Sequence, residues 1–333
     1  MINSEDFLHL PYTPDLTEGG IAYAIRSLPY TYDRMGGSPF DRLRRIVAGV
    51  AVELAFRRHL SQQDIPYDVK GATPFTDPDR YDVSLGGHRC DIKSFLITHR
   101  RQISSLRTQP ELLLKAPALV PLDQYSADGH RDDELYLFAF LTGLIAASQA
   151  DLNKALKADQ PTYLMHAMPK AWSKPANWQP INPLTLKSES DQTLTVEIGG
   201  QAAGREFLTR RLELPPRTRV MVEDEFFALS SIHVDQSPGA RVGIHSPFMG
   251  EAYLVDPFAW GNIWVYGLEI ILTGYIPREE FRRKSSLIQP GSRVFQYSKT
   301  RTKNLAVPVA DLKPLGSLFE QVREWEASKD ETD

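Results

Sequence analysis

Hydrophobic and polar positions follow two different periods along this chain. Between residues 38 and 60, Leu43, Ile46, Val47, Val50 and Leu54 recur at helical spacing behind Ser38, an N-cap, and Pro39, suited to the first helical position. An amphipathic helix to about Leu60 is predicted. Short β-type runs flank Gly86-Gly87, and two glycines supply the positive φ that a primed hairpin turn demands. Residues 134–141 are almost continuously apolar, as in a strand covered on both faces, and 262–276 form a second β-type run before a short helix opened by Pro277. Further helices are expected over 17–26, over 109–122 with an interruption at Pro117, and over 318–325. Pro161, Pro169, Pro175, Pro180 and Pro183 punctuate a linker that is expected to resist regular structure and carries Trp172 and Trp178, expected to anchor it onto the core, with base stacking as the alternative. Six short β runs follow, at 184–186, 194–198, 207–214, 219–222, 226–234 and 241–244. They predict a small antiparallel barrel or sandwich.

The hairpin holds the candidate chemistry. With Gly86 and Gly87 as the loop, Leu85 pairs with His88, Ser84 with Arg89, Val83 with Cys90 and Asp82 with Asp91. Opposed residues share a face, so two carboxylates would sit side by side, with Lys93 pointing the same way. Opposed like charges destabilise a sheet unless a cation joins them, and a hard divalent ion such as Mg²⁺ suits carboxylate ligands. A solvated Asp-Lys surface pair is the plainer alternative. Against it stand Ile92, Phe95, Leu96 and Ile97, which make this strand half or wholly buried, where charges are rare unless paired or metal-bound. Glu53 falls beside the apolar stripe of the first long helix and needs a partner; an ion pair with Arg57 is one solution.

An acidic residue on one strand, Asp82, followed by Asp91-Ile92-Lys93 on the next and preceded by a helical Glu53, resembles the PD-(D/E)xK nuclease superfamily. Pro78-Asp79 is an alternative first acid. The resemblance implies an α/β, restriction endonuclease-like fold: a mixed central sheet flanked by helices. It extends over residues 38–145 and more loosely over 262–325, which makes 1–149 and 259–333 two parts of one core and 150–258 an inserted antiparallel β domain. It further implies a Mg²⁺-dependent DNA endonuclease, with Mn²⁺ as a substitute. Asp82, Asp91, Glu53 and the Ile92 carbonyl would hold the ion or its waters, and Lys93 would orient the attacking water. A restriction-like or phage-defence role is expected, with a second copy or a partner subunit of a defence system as company. A repair or recombination nuclease, RNA as substrate, and a nucleic-acid-binding protein on a degenerate nuclease fold are the alternatives. A hydrolase with a serine or cysteine nucleophile has little support, since no Gly-x-Ser-x-Gly is present.

Composition narrows the partners. The 333 residues are 42% hydrophobic and 24% charged, with a formal charge of −4, so attraction to nucleic acid has to be local. Arg100, Arg101 and Arg107 form the candidate phosphate-contacting run. A single cysteine, Cys90, rules out an internal disulfide and a cysteine-rich zinc site, and its place opposite Asp91's face suggests a buried hydrophobe. No apolar run reaches membrane-spanning length and the first residues lack signal-peptide character, so a cytoplasmic protein with no membrane partner is expected.

Overall fold

Local signals start each element around the site. In the computed structural model, which describes residues 2–30, 38–69 and 81–330, a strand Leu8–Pro11 (β1) leads into a helix Pro14–Ser27 (α1). The long helix Pro39–Gln62 (α2) begins where the Ser38 hydroxyl accepts from the Phe40 N–H at 3.2 Å. Gly86 and Gly87, at φ of 57° and 87°, turn the chain between Val83–Leu85 (β2) and His88–Ile97 (β3). The hairpin keeps the expected register of Val83 on Cys90, Ser84 on Arg89 and Leu85 on His88. Helix Arg100–Thr108 (α3), strand Pro117–Pro121 (β4), the single turn Leu122–Tyr125 (α4) and strand Leu135–Ile145 (β5) follow.

The central sheet has the order β1, then strand Val265–Pro277, then β5, β3 and β2. β3 runs parallel to β5 and the other pairs are antiparallel, so the sheet is mixed and the class is α/β. Leu135, Leu137, Ala139 and Leu141 pack with α1 and α2 on one face, while Tyr136, Phe138 and Phe140 pack on the other with Ile103 and Leu106 of α3. Burial on both faces is why the β5 segment reads as an unbroken apolar run.

Residues between β5 and Val265 form helix Gln149–Lys157 (α5), strand Leu164–Ala167 (β6), the turn Lys170–Ser173 (α6) and strands Leu184–Ser188 (β7), Leu194–Gln201 (β8), Phe207–Leu214 (β9), Arg219–Val222 (β10), Ala228–Val234 (β11), Val242–His245 (β12), Tyr253–Val255 (β13) and Gly261–Asn262 (β14). They build two antiparallel sheets, β10-β7-β12-β13 and β14-β6-β11-β8-β9. Leu184, Leu186 and Val242 from one sheet meet Val196, Ile198 and Ile232 from the other in a third hydrophobic cluster, which makes this part a β sandwich. Val265–Pro277 (β15) then returns to the central sheet. It is followed by helix Arg278–Lys284 (α7), strands Ser286–Ile288 (β16) and Asn304–Pro308 (β17), and helix Leu315–Asp330 (α8).

Three expectations need correction. The 109–122 segment is a 3-10 turn, Pro110–Lys115, and then β4, not one helix. β4 is the edge of a small sheet with β17 and β16, a place where proline's missing N–H costs no ladder bond. The Pro-rich linker contains β6, which pairs with both β11 and β14. Finally, the tryptophans expected to fix that linker to the central sheet serve the sandwich. Trp172 is buried in its core, and the Trp178 indole N–H donates to the Ala203 carbonyl at 2.8 Å beneath the Arg205 guanidinium.

Candidate functional site

β3 sets out the site by simple alternation. Cys90, Ile92 and Leu96 turn toward α2, whereas Phe95 and Ile97 enter the opposite core, so Asp91 and Lys93 share the second face. Lys93 Nζ lies 2.6 Å from Asp91 Oδ2 and donates to Gln124 Oε1 at 3.1 Å, with the lysine 14% and the aspartate 23% exposed. Gln124 sits on α4. His130 holds that turn by donating from Nε2 to the Gln124 carbonyl at 3.1 Å, while its Nδ1 meets the buried Glu134 carboxylate at 2.6 Å.

The β2–β3 ladder ends at Val83, one residue short of the expected pairing of Asp82 with Asp91. The Asp82 N–H donates to the Cys90 carbonyl at 2.9 Å, and its Oδ2 accepts from the Ile92 N–H at 2.6 Å. The carboxylate thus folds back over the edge of β3. Burial pushes the Asp82 carboxyl up to about 7 and the negative charge of Asp91 adds to this, against the pull of the Ile92 N–H, Lys93 and Arg57. A buried Asp82 carboxylate beside the negative charge of Asp91 is a place that a cation would stabilise. Cys90 lies buried on the other face, as expected, and burial pushes its thiol far up, out of the range of a nucleophile.

Glu53 forms an ion pair with Arg57 at 3.6 Å, and Arg57 Nη2 in turn donates to the Asp82 carbonyl at 2.7 Å. The connection shown from α2 to the hairpin therefore runs through Arg57. Among the described residues, no three His, Cys, Asp or Glu side chains form a group that could hold a metal ion. Asp79 falls outside the described residues. Arg100 and Arg101 are exposed at the start of α3, beyond the end of β3, and neither lines the cavity beside Lys93. Arg107 faces a cleft shared with His9 and Glu269 on the β1–β15 side of the sheet.

Sequence reasoning passed over the cations nearest the site. Lys93 lines a cavity of about 280 Å³ with Arg45 of α2, Gln124, and Tyr297, Lys299 and Arg301 from the segment between β16 and β17. These positions are spread over more than two hundred residues and share no spacing, so only the fold brings them together. Compared with protein-family models, curated proteins and solved structures, the chain matches none. Among the described residues, no helix is long and apolar enough to cross a membrane.

Proposed function

We propose that this chain is a Mg²⁺-dependent nuclease of the restriction endonuclease-like kind that hydrolyses phosphodiester bonds in DNA. The observation that carries this reading is the Asp82–Asp91 pair at the edge of β3 with Lys93 bonded to Asp91. A magnesium ion suits the donors present. Asp82 and Asp91 offer carboxylate oxygens, and the Ile92 carbonyl lies on the same strand edge as the N–H that Asp82 engages. One or two carboxylates are enough, because Mg²⁺ keeps several of its waters. When bound, the ion supplies Lewis acidity and a water more easily deprotonated. Lys93, held by Gln124, steadies that water or the charged phosphate, and Asp91 keeps the ammonium aligned. Glu53 acts one step back, holding Arg57 against the backbone of Asp82. The β sandwich supplies a surface for choosing the target, as suits a defence nuclease that must distinguish foreign DNA.

The Glu53–Arg57 pair favours a second reading, in which the core binds nucleic acid without cutting it, because the helical acid is already engaged. Supercoiled DNA and a structured RNA, each incubated with the protein in Mg²⁺, Mn²⁺ or EDTA, separate the two. Metal-dependent nicking of DNA, absent in Lys93→Ala, is the expected result. Binding in EDTA with both substrates left whole in either metal favours the second reading.

A further inference from the structure

We propose that the cavity beside Lys93 is a phosphate subsite, in which Arg45, Lys299 and Arg301 hold a phosphate of the strand next to the one that is cut. This rests on the nuclease reading and adds to it the residues that grip the substrate. Four cations line the cavity, Arg45, Lys93, Lys299 and Arg301, and no acidic residue is among its lining residues. The molecule as a whole is acidic, with a formal charge of −4, so this grouping of cations is local.

Arg45 gives the most direct sign. Its Nη2 is buried and has no hydrogen-bond partner among the described residues, an arrangement that costs free energy unless an acceptor arrives. Burial, together with the like charge of Arg301, holds its guanidinium below the usual arginine range, so an anion placed there is favoured on both counts. The opposing wall is built in advance. Gln102 donates to the Phe295 carbonyl at 2.6 Å, Gln296 to the Pro117 carbonyl at 2.7 Å, and Tyr297 meets the Phe95 ring edge-on. Little ordering is then left for the ligand to impose.

A second cavity of about 330 Å³ shares Arg45, Ser94, Phe95, Tyr297 and Arg301 with the first and reaches Thr98. Its one acidic residue, Asp41, is paired with Arg44 at 3.0 Å. From Asp91 onward β3 has no neighbour on this side among the described strands. The two cavities thus form a trench from Lys93 to Thr98, a path for a phosphate backbone.

The test is binding by the full-length protein in EDTA, so that it does not depend on cleavage. A twelve-nucleotide oligothymidylate with a 3′ fluorophore, with and without a 5′ phosphate, is titrated by anisotropy over a range of salt. Arg45→Met and Arg301→Gln are expected to weaken binding about tenfold each, and the slope of log affinity against log salt should fall by ~0.7 per cation removed. Lys299→Gln, at an exposed position, gives a smaller loss with an undisturbed fold and decides the matter if Arg45→Met melts early. Lys284→Gln, an exposed cation of α7 outside the trench and paired with Glu280, should bind as wild type. A 5′-phosphate advantage lost in Arg301→Gln assigns the subsite to a terminal monoester; equal affinities assign it to an internal diester. Wild-type affinity and salt slope in Arg301→Gln and Lys299→Gln overturn the proposal. If these variants lose affinity while the wild type cuts nothing, the subsite stands and the nuclease reading falls.

Discussion

Asp82 holds a proton that an unfolded chain would release near pH 4. Because its folded-state pKa is raised toward 7, the metal-free native state binds more protons than the unfolded state between those values, and stability must decline as pH rises through that window. Thermal melts in EDTA should show a loss on the order of a few kcal/mol from pH 4 to 8, and the Asp82→Asn protein should lose markedly less. Ion binding needs the carboxylate, so the rise in Tm given by Mn²⁺ should grow over the same range. Lys93 offers a second test. Gln124→Leu removes its neutral partner and leaves Asp91, so a drop in kcat of about tenfold with little change in KM is expected. An unchanged kcat would show that Gln124 does not position the lysine. Asp91 and Lys93 were legible in the sequence because alternation alone places them on one face. Gln124 and Arg45 were not, since nothing local marks a glutamine or one arginine among several as facing a site.

At the scale of the element, the β2–β3 hairpin fixes where the acids lie, and its two glycines are not equivalent. Both have positive φ, which costs an L-residue about 1–2 kcal/mol. An added Cβ at Gly87 meets nothing within 4 Å, whereas one at Gly86 runs into the Trp325 ring of α8. Gly87→Ala should therefore lose only the conformational cost, and Gly86→Ala should lose more and disturb the His88–Trp325 contact at 4.2 Å. Equal losses in urea melts would remove Trp325 from the account. The hairpin was readable because its turn chemistry is local. The end of its ladder was not: Asp82 leaves the register to reach the Ile92 N–H, a choice made by the fold around it. β4 was hidden because proline argues against a strand unless the strand lies at an edge, and β6, which holds no proline itself, was hidden by Pro161 and Pro169 on either side of it.

For the whole molecule, the question is how far the sandwich and the central sheet depend on each other. Val265 pairs with Ile145, so β5 and β15 would close into a hairpin if the intervening chain were removed. Yet Met165, Tyr163 and Phe207 of the sandwich pack into the core beneath α1 and α2, and an added Cβ at Gly261 would meet the Phe40 ring. Excising 147–263 and joining the ends with a short Gly-Asn turn should leave a folded sheet that melts lower than the intact protein and still gains Tm with Mn²⁺. An unfolded product would make the two parts one inseparable architecture. The long span between β5 and β15 did not obscure in the sequence that both belong to one core, because both are strongly apolar and closing a long loop adds little cost; that they are direct neighbours came from the fold. The contact between the two parts was invisible there, as it depends on single side chains far apart in the chain. The most direct test of the central claim is the single-turnover rate of cleavage of a labelled DNA duplex in Mg²⁺ by the wild type, Asp91→Ala and Lys93→Ala. Cleavage by the wild type that disappears in EDTA and falls at least a thousandfold (~10³) in both variants is the predicted result. Cleavage at the wild-type rate by either variant, or an intact duplex with the wild type in both Mg²⁺ and Mn²⁺, would contradict it.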